Sequence, residues 1–246
     1  MSASNRPITG TTVPWRRIIV ESVAIILSIL LAFAIDAGWD AFKERNQEKA
    51  FLESLLDDFE ETRSRIDAST DVHMRFINFA RQLLEFHGGD TPDIEPDALE
   101  TMLGAVFFDW GSLYLPSGSR DALFSSGDIE IISNEESRAM LAAWPSMVAD
   151  AAEDDIWIAN DVMHNMAPYL HGKIRTRNVT RFTSSDAAER IPRIESVNYD
   201  ALWNDPTFDN IVSFRILNET YALRENDRLS ESVDEIIRAI EKELER

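Results

Sequence analysis

From Ile18 to Trp39 the chain reads IIVESVAIILSILLAFAIDAGW, and no other part of it is as long and as apolar. At a helical rise of about 1.5 Å per residue this stretch is roughly 33 Å long, enough to cross a hydrocarbon core of about 30 Å. The sequence therefore predicts a transmembrane helix over residues 15–40, preceded by a short tail at 1–14 and followed by one extramembrane domain, 41–246. Within the stretch the charge-free centre, Ser22 to Ile35, is only about 21 Å long by the same rise, so Glu21 and Asp36 are expected near the two headgroup regions. Arg17 lies one turn before Glu21 and is placed to neutralise it.

A second pattern runs along the same stretch. Ala24, Ser28, Ala32 and Asp36 recur every fourth residue, which puts three small side chains and one acid on one ridge of a helix. Lipid tails offer no hydrophobic contrast between helices, so close packing and polar contacts drive association there, and small residues at this interval favour it. These four positions are the candidate contact for a partner helix, either another membrane protein or a second copy. A cleaved signal peptide is the competing reading, with Arg16 and Arg17 as its basic start and Ala32-Phe33-Ala34 as a small-x-small site. Glu21 interrupts the apolar region that such a peptide needs, so an uncleaved anchor is expected.

Composition bounds the rest. The formal net charge is −20, and there is no cysteine, which excludes disulfides, thiol catalysis and thiolate metal sites. Beyond residue 39 the chain holds 21 basic against 42 acidic groups. Such a domain repels nucleic acid and anionic lipid surfaces, so no nucleic-acid partner is expected. Arg6, Arg16 and Arg17 precede the span and Lys43, Arg45 and Lys49 follow it, a tie by count. The two arginines at the boundary tilt it toward a cytoplasmic N-terminus and an exported, periplasmic C-terminal domain.

The domain reads as all-α. Leu52, Leu55, Leu56, Phe59, Ile66, Phe76, Ile77, Ala80, Leu83 and Leu84 recur at mostly three- and four-residue intervals, predicting one long amphipathic helix over 41–87, closed by Gly88-Gly89-Asp90-Thr91-Pro92. Asp97 to Phe108 reads as a short helix. Between Trp110 and Ile132 the chain is loop-like, with one or two helical turns at Ser119 to Ser125 and an extended connector at Asp128 to Ile132. Ser133-Asn134-Glu135-Glu136 has capping-box spacing and starts a helix over 134–169, with Ser133 as cap, a kink at Pro145 and an end at Pro168 and Gly172. Lys173, Arg175, Arg177 and Arg181 form a basic island read as a solvated loop, or as a contact with headgroups or an acidic face. Asp205-Pro206-Thr207 starts the last helix, 207–246, whose apolar seam is expected to pair with the helix over 41–87 in a bundle.

With these pieces in order, Glu21 to Asp40 (ESVAIILSILLAFAIDAGWD), the KERNQEKAFLESLLDDFEE that follows and Asp121 to Trp144 (DALFSSGDIEIISNEESRAMLAAW) together resemble a widespread bacterial family of single-pass membrane proteins of unknown function. The resemblance implies an N-terminal anchor, a glycine-marked turn such as Ser126-Gly127 and a helical C-terminal part. It transfers no catalytic residue. Ser137, where the family pattern has a bulkier apolar residue, and Pro145 depart from it.

Catalytic patterns are missing from the sequence: no phosphate-binding glycine loop, no nucleophile elbow and no His-Glu-x-x-His. Asp161, His164 and His171 have the spacing of metal ligands if a helix persists past Pro168. Chance spacing on a helix surface is the plainer reading, and no cofactor is expected. The acid runs Asp57, Asp58, Glu60, Glu61 and Asp150, Glu153, Asp154, Asp155 read as solvated faces. Trp110, Tyr114, Trp144, Trp157 and Trp203 read as core. The expectation is a non-enzymatic anchored module, an accessory, scaffold or assembly subunit of a larger membrane complex. Its alternatives are an exported sensor or ligand-binding domain and, behind that, a metal-dependent enzyme.

Overall fold

A computed structural model describes residues 15–86, 93–181 and 189–245. The 1–14 tail and the Gly88–Pro92 breaker lie outside these residues. Among the described residues every regular element is helical. In chain order the elements are α1 (Trp15–Glu85), α2 (Pro96–Phe108), α3 (Gly118–Ser126), a tight 3₁₀ turn (Asp128–Ile131), α4 (Glu135–Asp161), a widened π turn (Val162–Met166), α5 (Ala167–Lys173), α6 (Arg177–Arg181), α7 (Asp200–Trp203) and α8 (Pro206–Leu244). The chain divides into two units, Met1–Ala50 and Phe51–Arg246, with the division falling inside α1.

The second unit is a bundle built on its long helices. The expected pairing of the first and last helices is present: Asn226 Nδ2 donates to Ser69 Oγ at 3.1 Å, and Arg63 pairs with Asp234. Helix α4 packs along α8 on another side. Two apolar clusters result. One gathers Leu52, Leu55, Phe59 and Ile66 of α1 with Leu141, Trp144 and Ala151 of α4 and Leu229, Val233, Ile236 and Ile240 of α8. The other joins Ala80 and Leu83 with α2, Ile158, Val162, Trp203, Phe208 and Val212. Aromatic pairs lock each: Trp144 meets Phe59 edge-on at 5.4 Å, and Trp203 meets Phe208 edge-on at 5.6 Å.

Local chemistry differs from the expected pattern at five places. The cap of α4 is Asn134, not Ser133; its side chain accepts from the amides of Glu136 at 2.9 Å and Ser137 at 3.4 Å. Asp128–Ile131 is a 3₁₀ turn instead of an extended connector, launched by Gly127 at φ +80°, a left-handed conformation that suits glycine. Pro145 does not interrupt α4. The carbonyl it orphans, that of Leu141, accepts from Arg120 Nε at 2.9 Å instead. Nor does Pro168 end the helix: the backbone widens over Val162–Met166, with the Ala167 amide bonding to the Val162 carbonyl, and continues to Lys173. Finally, the basic island is partly folded. Asn178 of α6 is buried and donates to Glu100 Oε1 at 2.8 Å, while its Oδ1 accepts from the Ile194 amide at 2.8 Å.

Two of the five predicted core aromatics are buried. Trp144 and Trp203 are buried, whereas Trp110, Tyr114 and Trp157 are exposed. Ser137 is explained by its surroundings. It is buried and donates to Glu243 Oε1 at 2.5 Å, so a polar pair occupies this position in the bundle.

Candidate functional site

Two features outside the ordinary apolar core stand out, one in each unit. In the first unit, every large apolar side chain from Trp15 to Phe42 is exposed, and none of the apolar window is buried. Leu27, near the middle, is 60% exposed and Leu31 62%. Water does not tolerate a contiguous apolar surface of this size on a folded monomer; such patches mark a membrane or a partner. The helix is long and apolar enough to cross a membrane.

The polar groups of this helix are satisfied in ways that suit an apolar medium. Arg17 Nε donates to Glu21 Oε1 at 2.8 Å, the predicted neutralisation, and Ser28 Oγ donates to the Ala24 carbonyl at 2.8 Å within its own helix. Ala24, Ser28, Ala32 and Asp36 lie along α1 at four-residue spacing, and all four are exposed. Because the Ser28 hydroxyl already donates to Ala24, the ridge offers close approach at its first three positions, an acceptor oxygen at Ser28 and a carboxylate at Asp36.

The second feature is a buried charged cluster between the two apolar clusters of the bundle. His73 of α1 is 1% exposed. Its Nδ1 lies 2.5 Å from Glu219 Oε2 and its Nε2 lies 3.5 Å from Asp155 Oδ1 of α4. Arg215, one turn before Glu219 on α8 and fully buried, brings its Nε to 2.5 Å from Glu219 Oε1, an ion-pair contact outside hydrogen-bond angles. Its Nη2 donates to the Asp109 carbonyl at 2.9 Å, and its guanidinium lies 4.9 Å from the centre of the Phe76 ring. Burial pulls the Arg215 guanidinium below its ordinary value, and Glu219 opposes that pull. Burial likewise pushes the Asp155 carboxyl up, against the His73 ring and the Leu113 amide, which donates to it at 3.0 Å.

This cluster ties α1, α4, α8 and the 109–117 connector at one level. Gly111 makes it possible, because a Cβ there would meet His73 Cε1 at 3.0 Å and Nε2 at 3.2 Å. Since the ring is held between two carboxylates, it has no room to yield. Gly111→Ala is therefore expected to cost about 1–3 kcal/mol, the usual range for overpacking, read as a lowered unfolding midpoint against wild type. Gly111 also lines an open groove of about 310 Å³ with Arg65, Ser69, Val72 and Tyr114.

The metal-ligand spacing does not assemble. The helix does persist past Pro168, but the extra residue of the π turn rotates His171 out of phase with His164. Asp161 accepts from Asn165 Nδ2 at 2.7 Å, His164 Nδ1 lies 2.9 Å from the Asn160 carbonyl, and His171 packs against the Phe108 ring. Among the described residues no group of three or more His, Asp or Glu is arranged to hold an ion.

No known family model, curated protein or solved structure matches this chain. The sequence reading missed the charged cluster, although a signal was present. His73 falls on the apolar seam of α1, seven residues from Ile66 and from Ala80, and Arg215, Asn218, Glu219 and Asn226 interrupt the seam of α8.

Proposed function

We propose that this chain is a membrane-anchored, non-enzymatic helical module, an accessory, scaffold or assembly subunit of a larger membrane protein complex. The observation that carries the reading is the wholly exposed apolar run from Trp15 to Phe42. Lipid covers the greater part of that surface, and a partner helix, from another membrane protein or a second copy, covers the ridge of Ala24, Ser28, Ala32 and Asp36. The resemblance to the bacterial single-pass family supports placement in the bacterial inner membrane. Arg16 and Arg17 at the boundary support a cytoplasmic N-terminus and a periplasmic acidic domain.

Two further points support a binding role over catalysis. The titratable groups that gather in the bundle are buried against each other, and His73, with a carboxylate oxygen near each ring nitrogen, is shut away from solvent. The bundle's charge also favours basic protein surfaces as companions over nucleic acid.

Changing Ala24, Ser28 and Ala32 together to leucine tests the docking ridge. The triple variant remains membrane-inserted, since leucine is at least as apolar, but in mild detergent it loses its co-purifying partner or its oligomeric state. An unchanged set of partners and an unchanged size would remove the ridge from the account.

A further inference from the structure

The bundle carries one place where its acidity is reversed. Between Lys173 and Arg193 lie six of the chain's 24 Lys and Arg residues against two acids, in a protein of net charge −20. The structure folds part of this segment around an open groove of about 500 Å³, lined by His171, Lys173, Arg175, Ser196 and Asn198 with Gly172, Ile174 and Val197 between them. That volume lies within the range of small-molecule sites, roughly 300–1,000 Å³. Among the described residues no carboxylate lines it.

The donors in its two lining segments are in different states. Lys173 Nζ is 2.8 Å from Asp205 Oδ2, and this ion pair, with the Thr207 amide and the Tyr169 hydroxyl, holds the Asp205 carboxyl well below the usual carboxylate range. The pair fixes Lys173 at the rim while leaving two of its three N–H groups unspent. Arg175 is exposed and has no ion-pair partner among the described residues. In the other lining segment, Asn198 Oδ1 accepts from the Asp200 amide at 2.7 Å. Its acceptor is thereby used, and its NH₂ is left to donate. Ser196 adds a hydroxyl.

We propose that this groove is a binding site for a phosphate ester, with Arg175 as its charged contact and Lys173, Ser196 and Asn198 as neutralising and orienting donors. Guanidinium matches two phosphate oxygens at once, and donors from two segments lining one groove suit an anion with several oxygens. The groove is larger than a bare ion needs, which leaves room for the rest of a phosphorylated molecule. Its source is either a lipid headgroup or a soluble phosphate ester, and the chemistry is shared.

The full-length protein, reconstituted in nanodiscs, distinguishes the sources. In discs of phosphatidylcholine alone, glycerol 3-phosphate is titrated from solution; in a second set, a third of the lipid is phosphatidylglycerol and no soluble ester is added. Hydrogen exchange of the 171–176 and 194–199 amides is the readout. Protection by glycerol 3-phosphate supports a soluble ligand, and protection by phosphatidylglycerol supports a headgroup. Arg175→Glu is expected to weaken the responding arm by at least roughly tenfold, the loss for one charge-assisted contact. Arg238→Glu, the same charge change on a distant part of α8, leaves it unaltered. Protection in neither arm, or protection that survives Arg175→Glu, overturns the proposal.

Discussion

Replacing Arg215 by methionine is expected to destabilise the helical bundle by about 3–5 kcal/mol, the cost of leaving a buried charge without its partner. For a domain of this size that corresponds to a fall in unfolding midpoint of roughly 6–20 °C. The size of the effect follows from what the guanidinium holds. Glu219 is fully buried, and its two oxygens contact Arg215 and the His73 ring. Removing Arg215 also strips the Asp109 carbonyl of its donor and takes from the Phe76 ring the nearer of its two guanidinium contacts, leaving that of Arg75. Thermal unfolding of the purified variant measures this directly. A second variant separates charge from packing. Arg215→Met combined with Glu219→Leu removes the stranded carboxylate and is expected to be less destabilised than Arg215→Met alone, because the larger part of the penalty is the unpaired charge. A double variant that is worse by the sum of the two single effects would mean that packing, and not the ion pair, dominates at this level of the bundle.

The other large effect lies in the first unit. Leu27→Arg with Leu31→Arg puts two guanidinium groups at the centre of the charge-free stretch between Ser22 and Ile35. At that depth each arginine costs about 2.5–3.5 kcal/mol of insertion free energy, so the pair is expected to move most of the protein out of the alkali-resistant membrane fraction. Leu27→Ile with Leu31→Ile keeps the hydropathy and is expected to stay inserted. Both positions are exposed, so the arginines break no contact within the chain. Equal retention of the arginine and isoleucine variants would show that these residues do not sit in hydrocarbon.

Much of this architecture can be read from residue patterns, because the patterns and the burial share one cause. The seam Leu52, Leu55, Phe59, Ile66 and its counterpart Leu229, Val233, Ile236, Ile240 are apolar at helical spacing since those faces meet in one cluster. Asp205 followed by Pro206 marked the start of α8 because an aspartate cap and a first-turn proline both fit a helix N-terminus; the Thr207 amide donates to Asp205 at 2.8 Å. Where reading failed, a distant side chain had intervened. Pro145 looks like a breaker until Arg120, 25 positions earlier, supplies the donor for the Leu141 carbonyl. Pro168 looks like a stop, but a single widened turn absorbs it.

The candidate sites were legible to different degrees. The apolar run and the four-residue spacing of Ala24, Ser28, Ala32 and Asp36 are properties of one continuous segment, so both are visible in the sequence. The His73, Asp155, Arg215 and Glu219 cluster draws on three helices, and only their packing brings the residues within contact. Its trace in the sequence was indirect: polar residues at positions where the seam required apolar ones. The basic island was legible as a charge pattern but not as a groove, since its other lining segment, with Ser196 and Asn198, comes from a stretch without periodicity.

The central claim is that residues 15–40 reside in a lipid bilayer and tether the acidic bundle there. The most direct measurement is flotation of the native, full-length polypeptide with membranes after an alkaline wash, with its intact mass checked in the same fractions. The account predicts that the uncleaved chain rises with the vesicles; uncleaved chain left at the bottom of the gradient would contradict it.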